Sequence, residues 1–281
     1  VRYATYEHRS RSQVGEVRGT TLIPLSGVAE LGPVTTPEVL SSAPRDDVGA
    51  VPVEEARLLP VVPRPSKIFC VGLNYRDHVT ESKRDIPDYP VLFPKFAASL
   101  IGPYDDIVLP PESTQVDYEG ELVVVIGRTG RRIAESDAID HVLGYTVAND
   151  VTMRDYQYKT HQWMQGKAWD ASTPIGPYLV TPDELDIDNA GIRTVLNGEK
   201  MQESDVSKLM FTIPRLIATI STFTALTPGD LILTGTPGGV GFRRDPQVFL
   251  RHGDEITVEV DGVGAIRNTV RAVTTIEGGA R

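Results

Sequence analysis

A chain of 281 residues, 40% hydrophobic and 23% charged, has an ordinary globular composition and length enough for one large domain, or one large and one small. Its net charge of −10 speaks against a nucleic-acid-binding surface, though not against an anionic small molecule, because one cation in a pocket inverts the local sign. The single cysteine, Cys70, excludes an internal disulfide framework, and no apolar run approaches membrane-spanning length. The first twenty residues are polar and lack the apolar core of a signal peptide, so the expectation is a cytoplasmic protein with no membrane or nucleic-acid partner.

Residues 1–65 mix short strand-like runs, such as Thr20 to Leu25, with a proline-rich tail from Leu59 to Pro65. Proline fixes φ and removes a backbone donor, so the tail reads as an extended linker. The spacing predicts a small N-terminal domain over 1–65 and a larger domain over 66–281. The larger one opens on a short buried strand, Ile68 to Val71, followed by Asn74-Tyr75-Arg76-Asp77-His78-Val79-Thr80-Glu81. On a helical turn His78 and Glu81 share a face, either as a solvated polar surface or as an imidazole oriented by a carboxylate. The segment 76–90 is dense in charge and broken by Pro87 and Pro90, a composition expected of a lid that is mobile when empty, with His78 then far from any metal.

Val116 to Ile126 is predicted as a strand, with Asp117, Glu119, Glu121, Val123 and Val125 on one face and an apolar opposite face. A strand apolar on both sides is covered on both, which pushes Glu119 and Glu121 inward. Two readings follow: a solvated acidic end, or carboxylates compensated by a divalent cation. A later strand, Leu143 to Ala148, ends at Asn149-Asp150, where Asp150 suits a helix N-cap or a third oxygen ligand in the same pocket. Arg154 and Gln157 recur on the following turn. Lys167 lies between Trp163 and Trp169, either snorkelling or functional. Asn197-Gly198 marks a hairpin, and Thr212 with Pro214 starts a helix whose apolar face carries Leu216, Ile217, Ile220 and Phe223. The Gly-rich turn from Gly235 to Gly241 lacks the Gly-Lys-Ser/Thr of a P-loop, but can offer N–H groups and the Thr236 hydroxyl to a carboxylate.

The order of these segments resembles the fumarylacetoacetate hydrolase family. Gly72 to Glu81, Asp117 to Leu122, Asn149-Asp150 through Gln157, and Gly235 to Gly241 carry the resemblance, over roughly residues 66–270. It implies a mainly β (α+β) mixed β-sandwich roll with a small N-terminal domain, a homodimer, and a bound Mg²⁺ (or Mn²⁺ or Ca²⁺). By the same resemblance Glu119, Glu121 and Asp150 match the metal ligands, and His78, Glu81 and Lys167 the catalytic groups of the acylpyruvase-like branch. Tyr75, Lys95, Arg154, Gln157 and Thr236 match substrate-binding positions. Ala168-Trp169 follows Lys167 where relatives more often show Ser-Phe, which alters the pocket wall beside that lysine.

The activity implied is metal-dependent hydrolysis of a carbon–carbon bond in an acylpyruvate such as fumarylpyruvate, in aromatic catabolism. In that reaction His78 and Glu81 activate water while Lys167, with Gln157, stabilises the oxyanion. The same head group and metal also serve oxaloacetate decarboxylation, keto–enol conversion or isomerisation of a hydroxymuconate-type diacid, none of which needs an attacking water. A metal-stabilised scaffold without turnover is the reading from another class, and intact His78, Glu81 and Lys167 speak against it.

Overall fold

A computed structural model describes residues 1–81, 85 and 87–273. Its framework is a 12-stranded sheet on one side and a five-stranded sheet on the other. At the centre runs Gly120–Ile126, antiparallel to Val142–Asn149 and to Leu231–Leu233. Leu231–Leu233 in turn lies parallel to Ile68–Gly72, which pairs with Val91–Lys95. The expected β-branched run is buried along its whole length. Leu122, Val124 and Ile126 face one core, shared with Ile192, Val258, Val260 and Ile266 of the smaller sheet and with Leu216, Ile217 and Ile220 of the helix Ile213–Phe223. Val123 and Val125 face a second core. Each fully buried aliphatic side chain there stabilises by roughly 1.5–3 kcal/mol, so the strand is anchored from both faces.

The signals for turn and helix translate directly. Asn197 (φ +51°) and Gly198 (φ +84°) take the left-handed conformation of a tight turn, joining Gly191–Leu196 to Glu199–Asp205. Thr212 caps the helix through its Oγ1, which accepts from the Arg215 N–H at 3.4 Å, and Pro214 occupies the first turn. Phe223 departs from the expected buried face: as the last helical residue it stands exposed, with its ring edge-on to Phe69.

Residues 1–65 continue the large sheet. Arg2–His8 pairs with Thr173–Val180 through Arg2↔Val180 and Tyr3↔Leu179. Tyr3, Val14, Leu25 and Leu31 pack in the same core as Cys70, Val123 and Leu231. The proline-rich stretch carries no helix or strand beyond Arg57–Leu58, and Val61 and Val62 in it are buried in that shared core.

The acidic strand is divided. Val116–Asp117 pairs with Thr152–Met153 in a two-stranded ribbon, and Gly120–Ile126 belongs to the large sheet. The crossing between them lies against the second sheet: a Cβ on Gly120 would sit 2.4 Å from Thr194 Oγ1. Only glycine lets the chain pass there.

Candidate active site

Glu119, Glu121 and Asp150 converge at the bottom of the crevice formed where these strands end, all three buried, with one carboxylate oxygen from each within 4.8 Å of the others. Oxygens about 2.0–2.6 Å from one cation lie within about that distance of each other. Asp150 directly follows the strand Val142–Asn149 and is not a helix cap: the short helix Arg154–Gln157 follows Met153, with no side-chain cap. Its backbone N–H instead donates to the Glu119 carbonyl (2.8 Å), tying two of the acids together.

Three buried cations surround the triad. Lys167 Nζ donates to Glu119 Oε2 (2.6 Å) and Asp150 Oδ2 (2.8 Å). The ammonium itself is enclosed, which rules out snorkelling. Lys95 Nζ donates to Asp150 Oδ1 (2.7 Å) and to the Lys167 carbonyl. Arg154 donates through Nε to Asp117 Oδ2 (2.8 Å) and through Nη1 to Gln157 Oε1 (2.9 Å). Its Nη2 lies 2.7 Å from Glu119 Oε1, off the line of its N–H bonds, so that attraction is Coulombic.

Burial alone would raise the Glu119 carboxyl, but Lys167, Arg154 and His78 outweigh it and hold it at about 2. Among the described residues Glu121 makes no direct ion pair, and Lys167 acts on it only at a distance. Burial first, then the neighbouring Asp150 and Glu119, push its carboxyl well above the ordinary range, against a hydrogen bond from the Gly235 N–H (2.8 Å). Lys167 is desolvated too, yet Asp150 and Glu119 raise its pKa. Four carboxyl groups, counting Asp117, thus face three cations, and the one left without a paired cation, Glu121, is held toward its neutral form until a cation joins it. An oxygen-only donor set with one uncompensated carboxylate fits a hard divalent cation.

His78 lies on the helix Arg76–Glu81 and is buried at the cavity wall. Its Nδ1 is 2.9 Å from Glu81 Oε1, and Glu81 Oε2 accepts from the Gly239 N–H (2.8 Å). Glu81 therefore fastens this turn to the Gly-rich loop, and the expected open position with His78 remote from the acids is not the one observed. The lid was expected over 76–90, of which 82–84 and 86 lie outside the described residues.

The remaining candidates divide by position. Arg154, Gln157 and Thr236 line the cavity with His78, Glu119 and Lys167. Thr236 Oγ1 donates to the Gly120 carbonyl (2.9 Å) and accepts from Gln202 Nε2 (2.8 Å), so its hydroxyl proton is already used. Lys95 sits behind the acids and not on the cavity wall, held there by Asp150. Tyr75 is likewise off the wall, buried in the core that also holds Leu209, Ile213 and Ile217. Sequence reading passed over two organisers of the site. Asp117 turns away from the triad to accept from Arg154 and from the Gly241 and Phe242 N–H groups (2.8 and 3.0 Å). Gln202 accepts from the Gly120 N–H (3.0 Å) and donates to the Pro237 carbonyl (2.9 Å), joining the second sheet to the Gly-rich loop. Only the Asp117 position in the alternating acidic run offered a sequence signal.

The cavity over the triad is about 30 Å³, enough for about two waters. Leu73, Phe93, Tyr158 and Trp163 separate it from an outer hollow of about 520 Å³ edged by Lys159, Thr160, His161 and Gln162.

Residues 67–271 match the C-terminal domain of fumarylacetoacetate (FAA) hydrolase. The chain belongs to the fumarylacetoacetate hydrolase family. Among its relatives is the mitochondrial oxaloacetate tautomerase FAHD2A of Bos taurus, 46% identical over 238 residues, or 84% of this chain and 76% of that protein. Of solved structures, 5-carboxymethyl-2-hydroxymuconate delta-isomerase from Mycobacterium smegmatis is 33% identical with a TM-score of 0.82, covering 97% of this chain and 100% of that one. Fumarylacetoacetate hydrolase from Exiguobacterium antarcticum is also 33% identical, with a TM-score of 0.83 over 96% of this chain and 99% of that one. The mainly β architecture expected from the resemblance is the one seen across this family. Cleavage of fumarylpyruvate in aromatic catabolism gains no support from the tautomerase and isomerase names; the keto–enol and isomerase alternative is the reading they favour. Among the described residues no helix is long and apolar enough to cross a membrane.

Proposed function

We propose that this protein is a divalent-metal-dependent tautomerase of a short 2-keto diacid, with oxaloacetate the foremost candidate. The observation that carries the reading is the His78–Glu81 pair held against a cavity with room for about two waters. With a divalent ion and a chelating head group displacing those waters, so small a space leaves little room for a separate attacking water. The 46% identity to an oxaloacetate tautomerase supports the same class.

A divalent ion at Glu119, Glu121 and Asp150 would supply Lewis acidity toward the 2-keto oxygen. The chain's own residues carry the proton. Glu81 holds Nδ1 of His78 and, through the Gly239 N–H, fixes the ring against the cavity. That leaves Nε2 to take a proton from C3 of the keto form and return it to the 2-oxygen of the enol, with no net gain or loss of atoms. Glu81 also stabilises the imidazolium formed in between. Lys167 and Arg154 hold Glu119 ionised, and so keep the oxygen cluster preorganised for the cation.

The test is conversion of the enol of oxaloacetate to the keto form, followed by ultraviolet absorbance with Mg²⁺ present. His78→Ala should slow it by about 10²–10⁴-fold with the fold intact by circular dichroism. Parallel assays for pyruvate release from oxaloacetate and for hydrolysis of acetylpyruvate separate tautomerisation from decarboxylation and carbon–carbon cleavage. Faster turnover of acetylpyruvate than of oxaloacetate would sink the proposal.

A further inference from the structure

We infer that Arg243 is the residue that selects a dicarboxylate, by pairing with the carboxylate of the substrate remote from the 2-keto acid head; this rests on the tautomerase reading of the site. Among the described residues, four basic side chains line the cavity: His78, Arg154, Lys167 and Arg243. Three are already committed. His78 faces Glu81, Arg154 faces Asp117 and Glu119, and Lys167 faces Glu119 and Asp150. Arg243 alone has no carboxylate within ion-pair distance among the described residues; its guanidinium carbon stands 4.9 Å from the centre of the Phe242 ring.

Its position is built. Gly241–Arg243 is a single 3-10 turn, and the Gly241 and Phe242 N–H groups are both held by Asp117. Phe242 presents its ring to Arg154 on the cavity side, 5.8 Å away, and to Tyr158 at 5.5 Å. The ring therefore serves as a platform on which a half-buried Arg243 is preorganised at the cavity rim. A planar guanidinium with unspent N–H donors suits a carboxylate in a bidentate grip.

The charge balance points the same way. With a divalent ion added, the four carboxylates and three buried cations leave one net positive charge. A monoanion satisfies it. A dianion brings a second negative charge, and among the described lining residues Arg243 is the cation with no carboxylate partner to meet it.

The test compares L-malate with L-lactate, which differ by one carboxylate, as calorimetric ligands of the Mg²⁺-loaded full chain. The wild type should prefer malate by about 10- to 100-fold, the range of a charge-assisted hydrogen-bonded pair. R243M keeps the stem on Phe242 without the charge and should abolish the preference; R243K should restore part of it. A merely structural Arg243 would be rescued by methionine. Preference retained in R243M, equal affinity in the wild type, or binding of neither ligand overturns the inference. If malate selectivity depends on Arg243 while oxaloacetate is not turned over, the tautomerase reading fails and this one stands. If oxaloacetate is turned over and R243M keeps its wild-type KM and malate preference, the reverse holds.

Discussion

Replacing Lys167 by Met keeps the approximate volume of a buried side chain and removes the charge between Glu119 and Asp150. In the metal-free protein this leaves Glu119 with Arg154 and Asp150 with Lys95, each enclosed carboxylate one cation short. Breaking a buried pair from one side costs about 3–5 kcal/mol. Holding the Glu119 carboxyl at about 2 instead of 4.5 corresponds to about 3 kcal/mol at about 1.4 kcal/mol per pH unit, a joint effect of Lys167, Arg154 and His78 net of burial, in which Lys167 is the largest attraction. At about 2.1 cal/mol/K per residue the unfolding entropy of a chain this long makes the loss about 5–8 °C in Tm. The sign with pH follows from the depressed carboxyl. Its contribution is present above the unfolded value near 4.5 and is lost as pH falls toward about 2. Wild type and Lys167→Met should therefore converge across that window in thermal melts without divalent ion. Added Mg²⁺ should raise the variant's Tm more than the wild type's, because the ion meets carboxylates no longer neutralised by the ammonium. A metal-free variant melting within about 1 °C of wild type at pH 7 would refute the reasoning, since the triad would then not be ionised against Lys167.

Three further outcomes follow from the same geometry. Because burial and its acidic neighbours raise the Glu121 carboxyl, metal uptake should release a proton and tighten as pH rises up to that pKa; calorimetry in buffers of different ionisation heat reads it, and a heat independent of buffer would contradict it. Gly166→Ala should destabilise by about 1–3 kcal/mol in denaturant titrations, because the new Cβ would lie 2.6 Å from Gln157 Cα, a backbone atom that cannot turn aside. Gln202→Leu should lower stability by a similar amount and also weaken Mg²⁺ binding, since it releases the Gly120 N–H and the loop at Pro237; unchanged metal affinity would show that the loop is held without it.

The sequence by itself determined what depends on neighbours along the chain. Alternation placed Glu121 with Val123 and Val125 on one face of a doubly covered strand, Asn197-Gly198 called for a turn with positive φ, and Thr212 with Pro214 began the longest helix among the described residues. Spacing likewise put His78 and Glu81 within reach of each other. Tertiary structure alone decided which side of each ambiguity holds. Asp117 shares the alternation of Glu119, yet the chain changes sheets at Gly120 and delivers it to Arg154 and the Gly241 N–H instead. Lys95 reaches Asp150 across 55 residues, and Gln202 reaches Gly120 across 82, through strand pairings that no local pattern encodes. The N-terminal residues looked separable because prolines mark a linker, but Arg2–His8 finds its partner in Thr173–Val180. Charge compensation is the physical reason the site needed the fold. A carboxylate's worth as a ligand depends on which cations and N–H groups surround it in space, and those arrive from distant strands.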